Sequence, residues 1–328
     1  MALASLLLLA AGCDPSLAES GRRFLSQRDY PAAVKQLRAA VASCPQQAAL
    51  LLELAQALTQ NREFSEAVKA AGDFLGKSPG AAPGLLILAN AHFMAQEFEA
   101  CDGVLAQLLG AHPENSAALL LRANLRYLQG RDQEAIDGFI QLLQLDPKHE
   151  EATYSLGRVY YQLNRFYPAI SQFKRVLALN PNSYRAYDNL GLCYEALGQD
   201  DAAIQHFMKA LDLVHKDHPE YDWPYANLAN LLLKRDENEK AFQLAAEAAE
   251  RNPGSARNYY LAGKALWRLE KAETALKWLQ RSVELDAGYA EPRYLLGQIY
   301  GKLGRKEDAE RELKAFQEIQ AKTPRRRR

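Results

Sequence analysis

Residues 150–183 read EEATYSLGRVYYQLNRFYPAISQFKRVLALNPNS, and this stretch decides the fold because its landmarks return every thirty-four residues. Within it, Leu156, Tyr160, Phe173 and Val176 fall at helical spacing on two apolar faces. Asn164-Arg165 is turn chemistry between those faces. Pro181 then ends the second helix, since it has no amide to give a helix interior. Outward from this stretch, prolines stand at Pro45, Pro79, Pro113, Pro147 and Pro181, each thirty-four residues after the last. Pro219 breaks step by four and Pro253 resumes the spacing. An internal period of this length outranks any domain count taken from chain length. The ruler divides the chain into 14–47, 48–81, 82–115, 116–149, 150–183, 184–221, 222–255, 256–289 and 290–323.

Two columns of the ruler are almost entirely small. Position eight reads Gly21, Ala55, Ala89, Ala123, Gly157, Gly191, Ala229, Gly263 and Gly297. Position twenty reads Ala33, Ala67, Cys101, Ala135, Ala169, Ala203, Ala241, Ala275 and Ala309. Where helix A of a unit crosses helix B, a small residue on each lets the backbones approach. Pro15, Pro83, Pro224 and Pro292 sit near the start of an A helix, where a missing amide is harmless. The expectation is therefore an all-α stack of nine helix-turn-helix units.

The period, with Leu156-Gly157, Tyr160, Ala169, Phe173 and Pro181 in one unit and Leu190-Gly191, Tyr194, Ala203, Phe207 and Ala210 in the next, resembles the tetratricopeptide repeat (TPR). The likeness runs over about residues 14 to 323; the first three units and the seventh depart from it at the aromatic positions. It implies a right-handed superhelical solenoid whose inner, concave wall is made mostly by A helices. It also implies a scaffold that holds other proteins and performs no catalysis.

Composition agrees with that class. Lys plus Arg and Asp plus Glu are 40 each, so nothing here has the basic footprint of a nucleic-acid binder. Hydrophobic residues make up 48 % of the chain, ample for a continuous core. No phosphate-binding loop, dinucleotide fingerprint, nucleophile elbow or H-E-x-x-H motif occurs, and the repeats leave no length for a catalytic domain. No cofactor, metal or small-molecule substrate is expected. His215, Asp217, His218, Glu220 and Asp222 have ligand chemistry, but they fall where the four extra residues lie and read as a lengthened polar turn. Cys44, Cys101 and Cys193 lie in the first, third and sixth units. Stacked units touch only their neighbours, so these three read as free thiols, with no disulfide framework.

The ends carry their own signals. Met1 to Cys13 reads MALASLLLLAAGC, too short to span a bilayer, which takes about 20 residues, but suited to the core of an export signal. Ala10-Ala11-Gly12-Cys13 resembles a bacterial lipobox, which implies lipidation of Cys13 and attachment to a membrane of the cell envelope. No Lys or Arg precedes the run, and Ala10 stands where that family has Leu. The other reading of 1–13 is a helix capping the first repeat, in a soluble cytoplasmic adaptor. Residues 324–328, with Arg325 to Arg328, form a basic tail, read as solvated chain or as a contact for anionic head groups or an acidic partner.

Function is expected on the A-helix wall. Position nine of successive units gives Asn90, Asn124 and Arg158; position twelve gives Phe93, Tyr127 and Tyr161, with Tyr154 one turn before Arg158. Asn bonds a peptide backbone through both donor and acceptor, and aromatic rings supply contact area at little entropic cost. Asn189, Asn227 and Asn230 continue the amides, and Tyr260, Lys264, Trp267 and Arg268 make an aromatic-basic patch. Together they predict a groove for an extended peptide or partner helix, in envelope assembly. The alternatives are the cytoplasmic adaptor and the regulatory arm of an enzyme complex. The Lys and Asn set of chaperone-tail binders is not found.

Overall fold

The structure, a computed structural model, describes residues 13–218 and 220–322, leaving the side chains of 216 and 217 aside. The expectations for residues 1–12, for Pro219 and for the basic tail lie outside the described residues.

Among the described residues the chain is all helix, with no strand. The A helices are α1 (Pro15–Ser26), α3 (Ala48–Gln60), α5 (Ala82–Met94), α7 (Ser116–Leu128), α9 (Glu150–Gln162), α11 (Tyr184–Ala196), α13 (Trp223–Lys234), α15 (Ala256–Arg268) and α17 (Ala290–Lys302). Each is followed by its B helix: α2 (Tyr30–Ser43), α4 (Phe64–Lys77), α6 (Phe98–Ala111), α8 (Asp132–Leu145), α10 (Phe166–Leu179), α12 (Asp200–Asp217), α14 (Asn238–Arg251), α16 (Ala272–Leu285) and α18 (Lys306–Lys322). These are the helix-turn-helix units that the thirty-four-residue ruler lays out.

The small columns hold the pairs together by what they leave out. A Cβ on Gly21, Gly191, Gly263 or Gly297 would come within 2.5–2.7 Å of Leu37, Phe207, Leu279 or Leu313 on the partner helix. Real carbon–carbon contacts lie nearer 3.5–4.0 Å, so these crossings close only around glycine. From Ala33 to Ala275, position twenty is wholly buried in every repeat. The volume released is filled by large side chains, with Phe139, Phe173, Phe207 and Tyr300 among the largest fully buried.

The turn from A to B is equally regular. Position fifteen has positive φ in all nine repeats, at Arg28, Arg62, Gln96, Gly130, Asn164, Gly198, Asp236, Glu270 and Gly304. The next amide donates back to the carbonyl five residues earlier, as in Glu63 N–H to Leu58 O at 2.9 Å and Arg165 N–H to Tyr160 O at 2.8 Å. This left-handed cap satisfies carbonyls that a helix end otherwise leaves open.

The chain divides into two compact units, the first ending at Val159 and the second beginning at Tyr160. Within each, the backbones of successive A helices approach one another while those of successive B helices do not, so the A helices share one side.

Two expectations need correction. The four extra residues do not form a lengthened turn: they prolong α12 to 18 residues, against 14 in the other interior B helices, because Leu211 and Val214 keep the helical apolar spacing going. Nor are all three internal cysteines free. Cys44 is joined to Cys13 by a disulfide with a Cα–Cα separation of 4.8 Å. Cys13 directly precedes α1, which packs on α2, and Cys44 follows the end of α2. The reading that kept Cys44 unpaired compared it only with cysteines of distant repeats. Cys101 and Cys193 are free and buried.

Candidate functional site

In the first unit the expected ladder runs along α5, α7 and α9. Asn90 is half-buried, and its Nδ2 donates to Leu86 O of its own helix at 3.0 Å. Phe93, also half-buried, tilts against Phe98 across the A–B turn with ring centres 6.5 Å apart. Asn124 and Tyr127 are half-buried one turn apart on α7. The exposed Arg158 of α9 holds its guanidinium 5.8 Å from the Tyr127 ring centre, a cation–π contact between neighbouring A helices. The geometry thus brings Tyr127 and Arg158 together on the A side, with Asn124 one turn away on α7. Tyr154 is buried at 7 % exposure, so it supports this wall from beneath.

In the second unit the same side has a different chemistry. Tyr161 packs on Phe166 at 5.8 Å, and burial raises its hydroxyl pKa. Asn189 donates to Arg185 O at 2.9 Å, and Asn230 is half-buried. Asn227 is buried with both ends of its amide in use. Its Nδ2 donates to Asp188 Oδ1 at 2.9 Å and its Oδ1 accepts from Arg257 Nη2 at 2.8 Å, so three A helices are tied through one side chain. Tyr260 meets Tyr289 edge to face at 5.4 Å, and Lys264 Nζ lies 5.7 Å from the Tyr260 ring. Lys302 Nζ lies 4.8 Å from the Trp267 ring. Arg268 donates to Asp236 Oδ1 at 2.9 Å and to the carbonyl of Leu233. Burial, then the Arg268 and Lys234 charges, hold the Lys264 ammonium pKa below its usual value. Burial does the most to raise the Tyr260 and Tyr289 hydroxyls.

The polar residues beneath this wall were not anticipated. Asp188 is buried, and desolvation pushes its carboxyl up to about 7 against the opposing pull of Asn227 and Arg257. Asp222 accepts from Asn258 at 2.6 Å and Asn252 at 3.3 Å. A signal for Asp188 was present: position five of the other units is Ala, Leu or Tyr, so one carboxylate in that column is out of character.

Little here resembles catalytic machinery. Burial pushes the thiols of Cys101 and Cys193 up to about 11 and about 12, which leaves them protonated and unreactive near neutral pH. The histidine-rich stretch does not converge: His215 lies beside Tyr225 and Arg251, His218 stacks on Tyr184, and Asp222 faces Asn258. Among the described residues, no group of three or more His, Cys, Asp or Glu is placed to hold a metal ion. No described helix is long and apolar enough to cross a membrane. On the B side, an apolar trough of about 630 Å3 lies between α12 and α14, lined by Ile204, Met208, Leu211 and Leu244.

Comparison with known proteins places these features in a family setting. Tetratricopeptide-repeat profiles match residues 19–82, 86–150 and 227–290, residues 182–252 and residues 290–323, and a TPR-repeat profile matches 157–198. No curated protein matches the sequence. Among solved structures, the chain is similar to one in the crystal structure of the APC/C hetero-tetramer Cut9–Hcn1, at a TM-score of 0.64 and 15 % identity. That match covers 90 % of this chain and 57 % of the other, so this chain spans little more than half the length of its neighbour. The MamA RS-1 ArsTM double mutant matches at a TM-score of 0.46 and 20 % identity, over 52 % of this chain and 94 % of that one.

Proposed function

The chain belongs to the tetratricopeptide-repeat family, and from that premise we propose that it is a protein-interaction scaffold whose A-helix wall takes an extended peptide or a partner helix. One observation carries this reading: Arg158 of α9 meets the half-buried Tyr127 ring of α7, with the half-buried Asn124 amide one turn before that ring. A rigid aromatic face, a two-way amide and a guanidinium in one place suit a peptide backbone and its side chains without specialised chemistry. The test is to capture the partner by crosslinking from the source cells and titrate it against purified variants. Tyr127→Ala and Asn124→Ala should each weaken binding by about 2 kcal/mol, as truncated anchors do, and leave the melting curve in place. Met208→Glu, in the apolar trough of the opposite side, should leave affinity unchanged. If Met208→Glu abolishes binding and the wall variants do not, the partner sits on the B helices and the groove reading fails.

We place the scaffold in the cell envelope, because a disulfide persists in oxidising compartments and is rare in the cytosol. A sulfur in that bond has no valence left for a thioether, so the disulfide replaces lipidation at Cys13 in this reading. Intact mass under non-reducing conditions separates the two. A protein two hydrogens lighter than its reduced form supports the disulfide; an acyl adduct on Cys13 restores the lipid anchor.

A further inference from the structure

The last three A helices carry a feature that the rest of the chain lacks. Position thirteen is Ser26, Gln60, Met94, Leu128, Gln162 and Ala196 in the first six repeats, then Lys234, Arg268 and Lys302 in the last three. Lys264 stands one helical turn before Arg268, at position nine, on the same face of α15. Carboxylates already answer two of these cations: Glu195 lies 2.7 Å from Lys234, and Asp236 lies 2.9 Å from Arg268. Lys264 and Lys302 have no carboxylate partner among the described residues; each has an aromatic ring, Tyr260 and Trp267 respectively. Glu291 is close enough to act on Tyr260 and Tyr289, yet it makes no ion pair with either lysine.

We propose that the wall formed by α13, α15 and α17 selects an acidic segment of the bound protein, a side-chain carboxylate of that segment docking on Lys264 while Lys302, the other cation without a carboxylate partner, adds to the positive field. The proposal rests on the groove reading above and names the partner's chemistry. A half-buried ammonium beside two other cations and without an anion is electrostatically uncomfortable, and its depressed pKa is the symptom of that discomfort. An incoming carboxylate relieves it and gains a charge-assisted hydrogen bond in a partly dehydrated site. Tyr260 and Trp267 offer flat apolar surface to the residues flanking the acid. A phosphate fits less well: Nη1 of Arg268 is already engaged by Asp236 and the Leu233 carbonyl, and Lys264 offers a point charge in place of a planar fork.

The experiment selects binders from a bead-displayed library of random decapeptides, acetylated and amidated at their ends, with the full chain as wild type, Lys264→Gln and Lys264→Arg. Peptides retained by the wild type and by Lys264→Arg should be enriched in Asp and Glu, and Lys264→Gln should lose that enrichment. The affinity of one selected acidic peptide should fall about tenfold in Lys264→Gln, the loss expected for one charge-assisted bond, and return in Lys264→Arg. Retained peptides without acidic enrichment overturn this inference and leave the groove reading standing. Acidic enrichment that survives Lys264→Gln overturns the assignment to Lys264. A second library with free carboxyl ends and no Asp or Glu covers the other source of a carboxylate; selection from that library alone overturns the side-chain origin. Retention of no peptide from either library overturns the inference and the extended-peptide form of the groove reading.

Discussion

The A-helix wall of the first unit and that of the second are built on one ruler and spend their amides differently. Along α5 and α7, Asn90 and Asn124 are half-buried, and among the described residues no side-chain bond ties Asn90 to a neighbouring helix. Across α11, α13 and α15, Asn227 is sealed inside, a strut between the Asp188 carboxyl and the Arg257 guanidinium. An asparagine on an A helix is therefore no evidence by itself of a binding residue. What separates ligand-facing from structural amides is whether the neighbouring helices supply a buried charge for them to satisfy.

The sharpest way to break this contrast is to truncate one amide from each wall. Asn227→Ala strands a buried carboxyl and a guanidinium, and should cost about 2–4 kcal/mol of stability. Asn124→Ala should leave the denaturation midpoint where it was, because surface changes of this kind lie within about 0.5 kcal/mol. Equal losses in urea titrations of the two variants would erase the distinction.

A somewhat smaller effect concerns Asp188. Its carboxyl is raised to about 7 in the folded chain from an ordinary value of 3.8, so between those values the native state keeps a proton that the unfolded state has lost. The unfolded chain then binds fewer protons, and stability falls as pH rises through that window and levels off above it. Asp188→Asn should flatten this slope and raise stability at pH 8 by roughly 1–3 kcal/mol. A slope that survives the substitution would place the titrating group elsewhere.

The smallest test compares two glycines. Gly191→Ala drives a methyl into the Phe207 ring and should cost about 1–3 kcal/mol. Gly103→Ala, in α6 with open space around it, should stabilise the first unit by about 0.5–1 kcal/mol through better helix propensity. Thermal melts of both variants decide it; a gain at Gly191 would mean that the α11–α12 crossing is looser than described.

Much of this was legible from spacing. Proline placement and the small columns announced helix pairs because backbone approach admits no other residue at the crossing. The wall was read less well. Tyr154 and Asn227 were assigned to the groove yet are buried, because burial there depends on the helix of the next repeat, which a pattern within one unit does not contain. Asp188 and Asn258 were missed, and Asp222 was read as part of a polar turn, for the related reason that a buried polar residue is recognised by its side-chain partners, and theirs lie about thirty residues or more away in the chain. The lengthened α12 was misread because polar residues at its end masked continued apolar spacing. The Cys13–Cys44 pair escaped notice because Cys13 was assigned to another chemistry.

The nine left-handed turns have one more consequence, for the order in which the chain comes apart. Gly130, Gly198 and Gly304 adopt that backbone freely and Asn164 and Asp236 tolerate it, whereas Arg28, Arg62, Gln96 and Glu270 each hold it at about 1 kcal/mol of steric cost. A stack of repeats opens as a row of coupled local equilibria, with no single all-or-none step required. The strained turns sit in the first three repeats and again in the eighth, so amide protons at those turns should exchange soonest. Within each unit, then, the repeats with strained turns are the ones that yield first, and the grip of that unit's A helices loosens there before it loosens elsewhere.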